Sequence, residues 1–174
     1  MRDITFNELF KRMKGEPKVI VETGTIRNER NADGHSTIKF ANYVIKNGGH
    51  FSSVDNNLEA VKLSRKVCNY KAPLTALSSQ VNIIHSDSLT FLSDFKQKID
   101  VLYLDSANDK HLILKEAKMA MSKLKKDSII MIDDAGKDAN AEKGDLVIPW
   151  LKENGWEIIM DYYQVILMRI NNEN

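Results

Sequence analysis

The sequence predicts an α/β fold: a doubly wound, mostly parallel seven-stranded sheet with a C-terminal antiparallel hairpin. Three observations lead there. Short apolar runs alternate with helical patterns along the 174 residues, as expected of parallel strands covered on both faces. The last two runs, Trp156 to Asp161 and Gln164 to Ile170, are too close together for a crossover helix, so they pair antiparallel. No repeat, low-complexity tract or linker interrupts the alternation, so residues 1–174 read as one domain with material for a real core.

The elements follow in order. Thr5 to Lys14 is a short amphipathic helix ended by Gly15 and Pro17, and Val19 to Glu22 is the first strand. A helix from His35 to Lys46 closes at Asn47-Gly48-Gly49. His50 to Asp55 is the second strand, followed by a helix from Leu58 to Tyr70. Lys71 to Gln80 contains Pro73 and has room for a brief helical piece. Val81 to His85 is the third strand, Ser88 to Phe95 a helix, Asp100 to Leu104 the fourth strand, and Lys110 to Leu124 a long helix. Ser128 to Ile132 is the fifth strand; a polar loop, expected to be mobile between Gly136 and Gly144, leads to a helix from about Leu146 to Asn154.

Charge and composition narrow the function. Lys and Arg total 25 against 24 Asp and Glu, so no net charge draws the chain to nucleic acid or anionic membranes. The single cysteine, Cys68, excludes an internal disulfide framework and reads as an apolar packer. No apolar run is long enough for a membrane span, and "MRDITFNELFKRMKGEP" lacks the apolar core of a signal peptide, so a cytoplasmic location is expected.

Ligands of open α/β sheets bind beyond the carboxyl ends of the strands, near the point where strand order reverses. The strand ends here are polar. The first runs into Glu22-Thr23-Gly24-Thr25, then a polar stretch from Ile26 to Asp33, then Gly34-His35-Ser36-Thr37 at a helix start. The second ends in "SVDNN" and the third in "IIHSDSLTFL". With the terminal hairpin, this pattern resembles class I S-adenosylmethionine-dependent methyltransferases, a Rossmann-like methyltransferase fold, over essentially the whole chain.

The resemblance implies that Glu22 and Gly24 border the cofactor. Ser36 and Thr37, at a helix N-terminus, would meet the methionine carboxylate. Asp55 would accept from the ribose hydroxyls with Asn56 beside the adenine, and Asp87 and Ser88 would take the adenine edge. Each carboxylate also has an ordinary role open to it: Asp55 and Asp87 stand where helix N-caps stand. The segment from Ile26 to Asp33 departs from the shorter, glycine-rich family motif, as a lid or as an exposed loop.

Asp105 ends the fourth strand, and Asp133 and Asp134 end the fifth. Side by side at one rim these carboxylates repel unless a cation neutralises them, and an oxygen-only set suits Mg²⁺. The constellation resembles divalent-metal-dependent O-methyltransferases: catechol-type enzymes, sugar O-methyltransferases and cephalosporin-hydroxylase-like relatives. That likeness implies Asp105, Asp133 and Asp134 as metal ligands, with Asp105 also bordering the cofactor. Catechol-type enzymes carry a lysine three residues after the first metal Asp; here Asn108 stands there, leaving Lys110 or His111 as the general base.

The expected function is thus metal-assisted O-methylation of a small-molecule hydroxyl. The chain has no large insertion for a substrate cap, so loops or a second subunit in a homodimer complete the acceptor pocket. A metal-independent methyltransferase and a cofactor-binding protein without turnover are the alternatives. A nicotinamide-dependent enzyme is disfavoured because "GTIRNERNADG" lacks G-x-G-x-x-G spacing. A nucleic-acid methyltransferase is disfavoured by the charge balance and by the lack of an Asn/Asp-Pro-Pro-aromatic motif after the fourth strand.

Overall fold

The computed structural model describes residues 2–28, 35–71, 80–139 and 142–169. In chain order the elements are α1 (Arg2–Met13), β1 (Lys18–Thr23), α2 (His35–Asn47), β2 (Gly49–Asp55), α3 (Leu58–Lys71), β3 (Val81–His85), α4 (Ser88–Asp94), β4 (Ile99–Leu104), α5 (Lys110–Ala120), β5 (Leu124–Ile132), α6 (Val147–Glu153), β6 (Trp156–Asp161) and β7 (Val165–Arg169). The strands form one sheet in the order β3-β2-β1-β4-β5-β7-β6. β1 to β5 are parallel, while β7 runs antiparallel to both β5 and β6. The expected hairpin is therefore present, and strand order reverses between β1 and β4.

The apolar runs are continuous because both sheet faces are covered. On one face Ile20, Phe51, Tyr103 and Met131 pack under Phe6 and Leu9 of α1, Phe40 and Val44 of α2, and Val61 of α3. On the other, Val21, Leu102, Leu104 and Ile130 meet Leu92 of α4, Ile113 and Ala117 of α5, and Leu151 of α6. Trp156 belongs to this second core and Cys68 to the first, both as packing residues. Burial pushes the Cys68 thiol up to about 12, which leaves it protonated and inert at neutral pH.

The boundary that differs most from the sequence reading lies between α5 and β5. Apolar spacing carries the predicted helix to Leu124, yet α5 ends at Ala120, residues 121–123 form a 3₁₀ turn, and Leu124 already pairs with Ile99. Lys123 fixes this early exit: its ammonium donates to the carbonyls of Leu92, Ser93 and Phe95 at the end of α4. The interval from residue 72 to 79 lies outside the described residues.

Register brings the polar strand ends together. Thr23 pairs with Leu104, and Leu104 with Ile132, so the residues just beyond, Gly24, Asp105 and Asp133, emerge at one rim. Gly24 has φ +89°, and a Cβ there would lie 2.3 Å from the Asp105 carbonyl oxygen. The glycine is thus required by the close approach of two strand ends. Gly24→Ala should cost roughly 2–4 kcal/mol through left-handed strain plus collision, measured as a lowered urea midpoint; an unchanged midpoint would remove this constraint.

Candidate active site

The β1/β2 side of the rim rests on a buried hydroxyl network. Glu22 lies opposite Ser53 in the sheet register, and its Oε2 accepts from Thr37 at 2.8 Å and from Ser53 at 2.6 Å. The side chain is buried, which raises its pKa from 4.5 to about 7 despite support from the Ser36, Ser53 and Thr37 hydroxyls. Thr37 therefore faces inward, against its expected place at a ligand carboxylate. Glu22 likewise fixes the helix start and strand end from beneath.

Asp55 keeps a more outward role. Its Oδ2 accepts from the Thr25 amide at 3.1 Å and its Oδ1 from the Asn57 amide at 2.8 Å. The cap of α3 is Asn57, whose side chain accepts from the amides of Glu59 and Ala60. An ionised carboxylate has about four acceptor positions, so Asp55 retains capacity toward solvent. Asn56 beside it is exposed, and its carbonyl bonds the His85 ring.

At β3 the cap role is realised. Asp87 is the N-cap of α4 and accepts from both the amide and the hydroxyl of Thr90. Ser88 is buried, and its hydroxyl lowers the pKa of the buried Glu116, which also accepts from Thr23 at 2.9 Å. Ser88 thus turns away from the adenine position expected for it. The first loop is described only through Asn28, and there Ile26 is a core residue; residues 29–34 lie outside the described residues.

The three carboxylates converge as the sequence implied: ligand-type oxygens of Asp105, Asp133 and Asp134 lie within 4.8 Å of one another. The cations facing them belong to the chain itself. The Lys143 ammonium donates to Asp105 Oδ1 at 2.8 Å and stands 3.9 Å from Asp134 Oδ2. The Arg2 guanidinium donates to Asp133 Oδ2 at 3.0 Å and to Asp134 Oδ1 at 2.9 Å. Gln164 donates to Asp133 Oδ1 at 2.6 Å and to the Tyr103 hydroxyl at 2.9 Å, and accepts from Thr5 of α1. Burial raises the pKa of both Asp105 and Asp133; Lys143 opposes that shift at Asp105, and Arg2 at Asp133.

Arg2, Lys143 and Gln164 do not stand out in the sequence. Arg2 sits in a helix that reads only as amphipathic, and Lys143 in a loop expected to be mobile. That loop is tied down at its described ends: the amides of Gly136 and Asp138 donate to the carbonyls of Tyr163 and Tyr162, and Lys143 is 2% exposed. Lys110 is paired with Glu142 at 2.8 Å and Asp145 at 3.4 Å on the surface, and His111 is an exposed first-turn residue of α5.

Above the triad opens a cavity of about 380 Å³, with Arg2 and Phe6 of α1, Ser36 and Lys39 of α2, and Asp105 and Asp133 in its lining. Tyr103, Tyr163 and Gln164 also face it, whereas Lys110 and His111 do not line it. Tyr163 lines the cavity with Arg2 over its ring, whereas Trp150 lies under Lys118 and Trp156 is core.

A doubly wound sheet with this strand order, its polar residues gathered at the reversal point, defines the architecture of a methyltransferase. Residues 22–135 match a family described as a methyltransferase domain, and the chain belongs to that family. No curated protein matches it in sequence. Among solved structures it is similar to a candidate rRNA-methylase from Clostridium thermocellum (14% identity, 96% of this chain and 97% of that one, TM-score 0.68). It is similar to the SAH-bound methyltransferase PaMTH1 of Podospora anserina (15%, 94% and 76%, 0.69) and to the O-methyltransferase of Bacillus cereus in complex with SAH (17%, 95% and 79%, 0.64). Among the described residues no helix is long and apolar enough to cross a membrane.

The elevated Glu22 pKa has a consequence for stability. A carboxyl whose folded pKa exceeds its unfolded value favours the native state when protonated, so its contribution is full below about pH 4.5 and is lost as pH rises through about 7. Between those limits the wild type should lose on the order of 3 kcal/mol more stability than Glu22→Gln. Urea unfolding of both proteins across this window checks it; parallel curves would mean that Glu22 ionises normally.

Proposed function

We propose that the protein is an S-adenosylmethionine-dependent O-methyltransferase acting on a small-molecule hydroxyl. The observation that carries this reading is the cavity beside the strand-order reversal, floored by two buried carboxylates. The residues present fit the cofactor. Asp55 retains acceptor capacity at the tip of β2 for vicinal hydroxyls, and Ser36 at the start of α2 lines the cavity; Gly24, Asn56 and Asp87, at or just beyond the ends of neighbouring strands, are assigned to the same cofactor. When bound, S-adenosylmethionine supplies an electrophilic methyl group on its sulfonium.

The chain's own residues do the rest. Phe6, Tyr103 and Tyr163 give the acceptor an apolar wall. An attacking hydroxyl must lose a proton, and burial equips Asp105 to take it by bringing its pKa above the ordinary carboxylate range. Asp105 therefore replaces Lys110 and His111 as the proposed base. Alignment of hydroxyl and methyl group provides much of the acceleration. Nothing in the balanced charge favours a nucleic-acid acceptor, and a small acceptor suits the cavity's size.

The Mg²⁺ expected from the sequence fits this arrangement poorly. Each of the three carboxylates already accepts from Arg2 or Lys143, and Asp133 has both oxygens engaged. No step is assigned to a metal.

Two measurements test the proposal. Calorimetry should show S-adenosylhomocysteine binding that Asp55→Ala weakens by about 10- to 100-fold, the loss of a charge-assisted hydrogen-bond pair; equal affinity would take Asp55 out of the cofactor site. Methyl transfer from labelled cofactor to a panel of catechols, sugars and hydroxy acids should fall by roughly 100-fold or more in Asp105→Asn. Binding without transfer to any acceptor would favour a cofactor-binding protein.

A further inference from the structure

At the triad, three carboxylates contribute −3 in formal charge, and Arg2 and Lys143 return +2, both as close ion pairs. The remaining −1 equals in magnitude the charge of one sulfonium. A divalent ion added to the same site would place +4 against −3, with two fixed cations beside it in a buried setting. Lys143 is buried and paired with Asp105 at 2.8 Å, and Gly136, earlier in the same loop, lies against the hairpin, where a Cβ would be 1.7 Å from the Tyr162 carbonyl oxygen. Arg2 is held by two aspartates and by the Tyr163 ring, 4.8 Å from its guanidinium carbon.

We infer that Arg2 and Lys143 together occupy the electrostatic place of a divalent cation, so that this methyltransferase works without one. The inference rests on the proposed O-methylation only for its functional meaning; the charge balance stands on the geometry alone. The two residues divide the work. Lys143 does not line the cavity and acts through Asp105, so it is a positioning residue: it fixes the carboxylate and offsets its charge. Arg2 lines the cavity, and its Nε is buried without a hydrogen-bond partner among the described residues. Arg2 thereby sets a guanidinium beside the space left for the acceptor. The acceptors favoured are hydroxyl compounds with a neighbouring oxygen able to accept from a guanidinium.

Manganese binding tests this apart from catalysis. Purified wild-type protein titrated with MnCl₂ should leave the free-ion electron paramagnetic resonance signal undiminished, and transfer should persist in EDTA. The double variant Arg2→Gln/Lys143→Met leaves the three carboxylates uncompensated and should bind Mn²⁺ roughly tenfold or more tighter than wild type. Adding Asp105→Asn to that background should abolish the gain. Arg2→Gln alone, at a partly exposed position, should show a smaller gain and serves if the buried Lys143 substitution prevents folding. Wild-type binding as tight as that of the variant would overturn the inference, and so would absence of any gain in folded variants. Neither result would bear on cofactor affinity, which is measured separately.

Discussion

Three carboxylates share one rim of the sheet, and the fold is arranged so that they can stand there together. Buried like charges are tolerated only with compensation close at hand. Here it comes from both ends of the sequence: Arg2 from the first helix and Lys143 from the loop after β5, with Gln164 of the hairpin turn holding Asp133. α1, the loop and the hairpin are thereby drawn to the same place. The cavity opens between α1, the start of α2 and the hairpin turn, over Asp105 and Asp133.

The neighbouring half of the rim follows different physics. Glu22 sits deep and is met by hydroxyls rather than cations. Burial dominates its ionisation, whereas ion pairs temper that of Asp105 and Asp133. The two halves meet at the contact between Gly24 and the Asp105 backbone, where a side chain has no room.

Much of this is legible in the sequence. The apolar runs and the short interval before the last strand determine the sheet and its hairpin, because burial on both faces leaves a plain mark in composition. The convergence of Asp105 with Asp133 and Asp134 is also readable, since parallel strand ends share a rim. What stays hidden is the neutralising partners. A cation's identity depends on which distant segment folds over the site, and neither Arg2 nor Lys143 has a local pattern that sets it apart from solvated basic residues. Ser88 and Thr37 are misplaced by sequence reasoning for a related reason: a hydroxyl at a helix start can face a ligand or a buried carboxyl, and only the positions of Glu22 and Glu116 decide. Lys110 has the right charge near the right strand, but it is committed to Glu142 and Asp145.

The hairpin turn has an importance out of proportion to its size. Its carbonyls at Tyr162 and Tyr163 hold the loop that delivers Lys143, its Gln164 orients Asp133, and its Tyr163 ring supports Arg2. One inserted residue between β6 and β7 would disturb all three at once while leaving the parallel core untouched. Divergence in acceptor choice could thus arise from length changes in a surface turn, with no mutation among the acidic residues themselves.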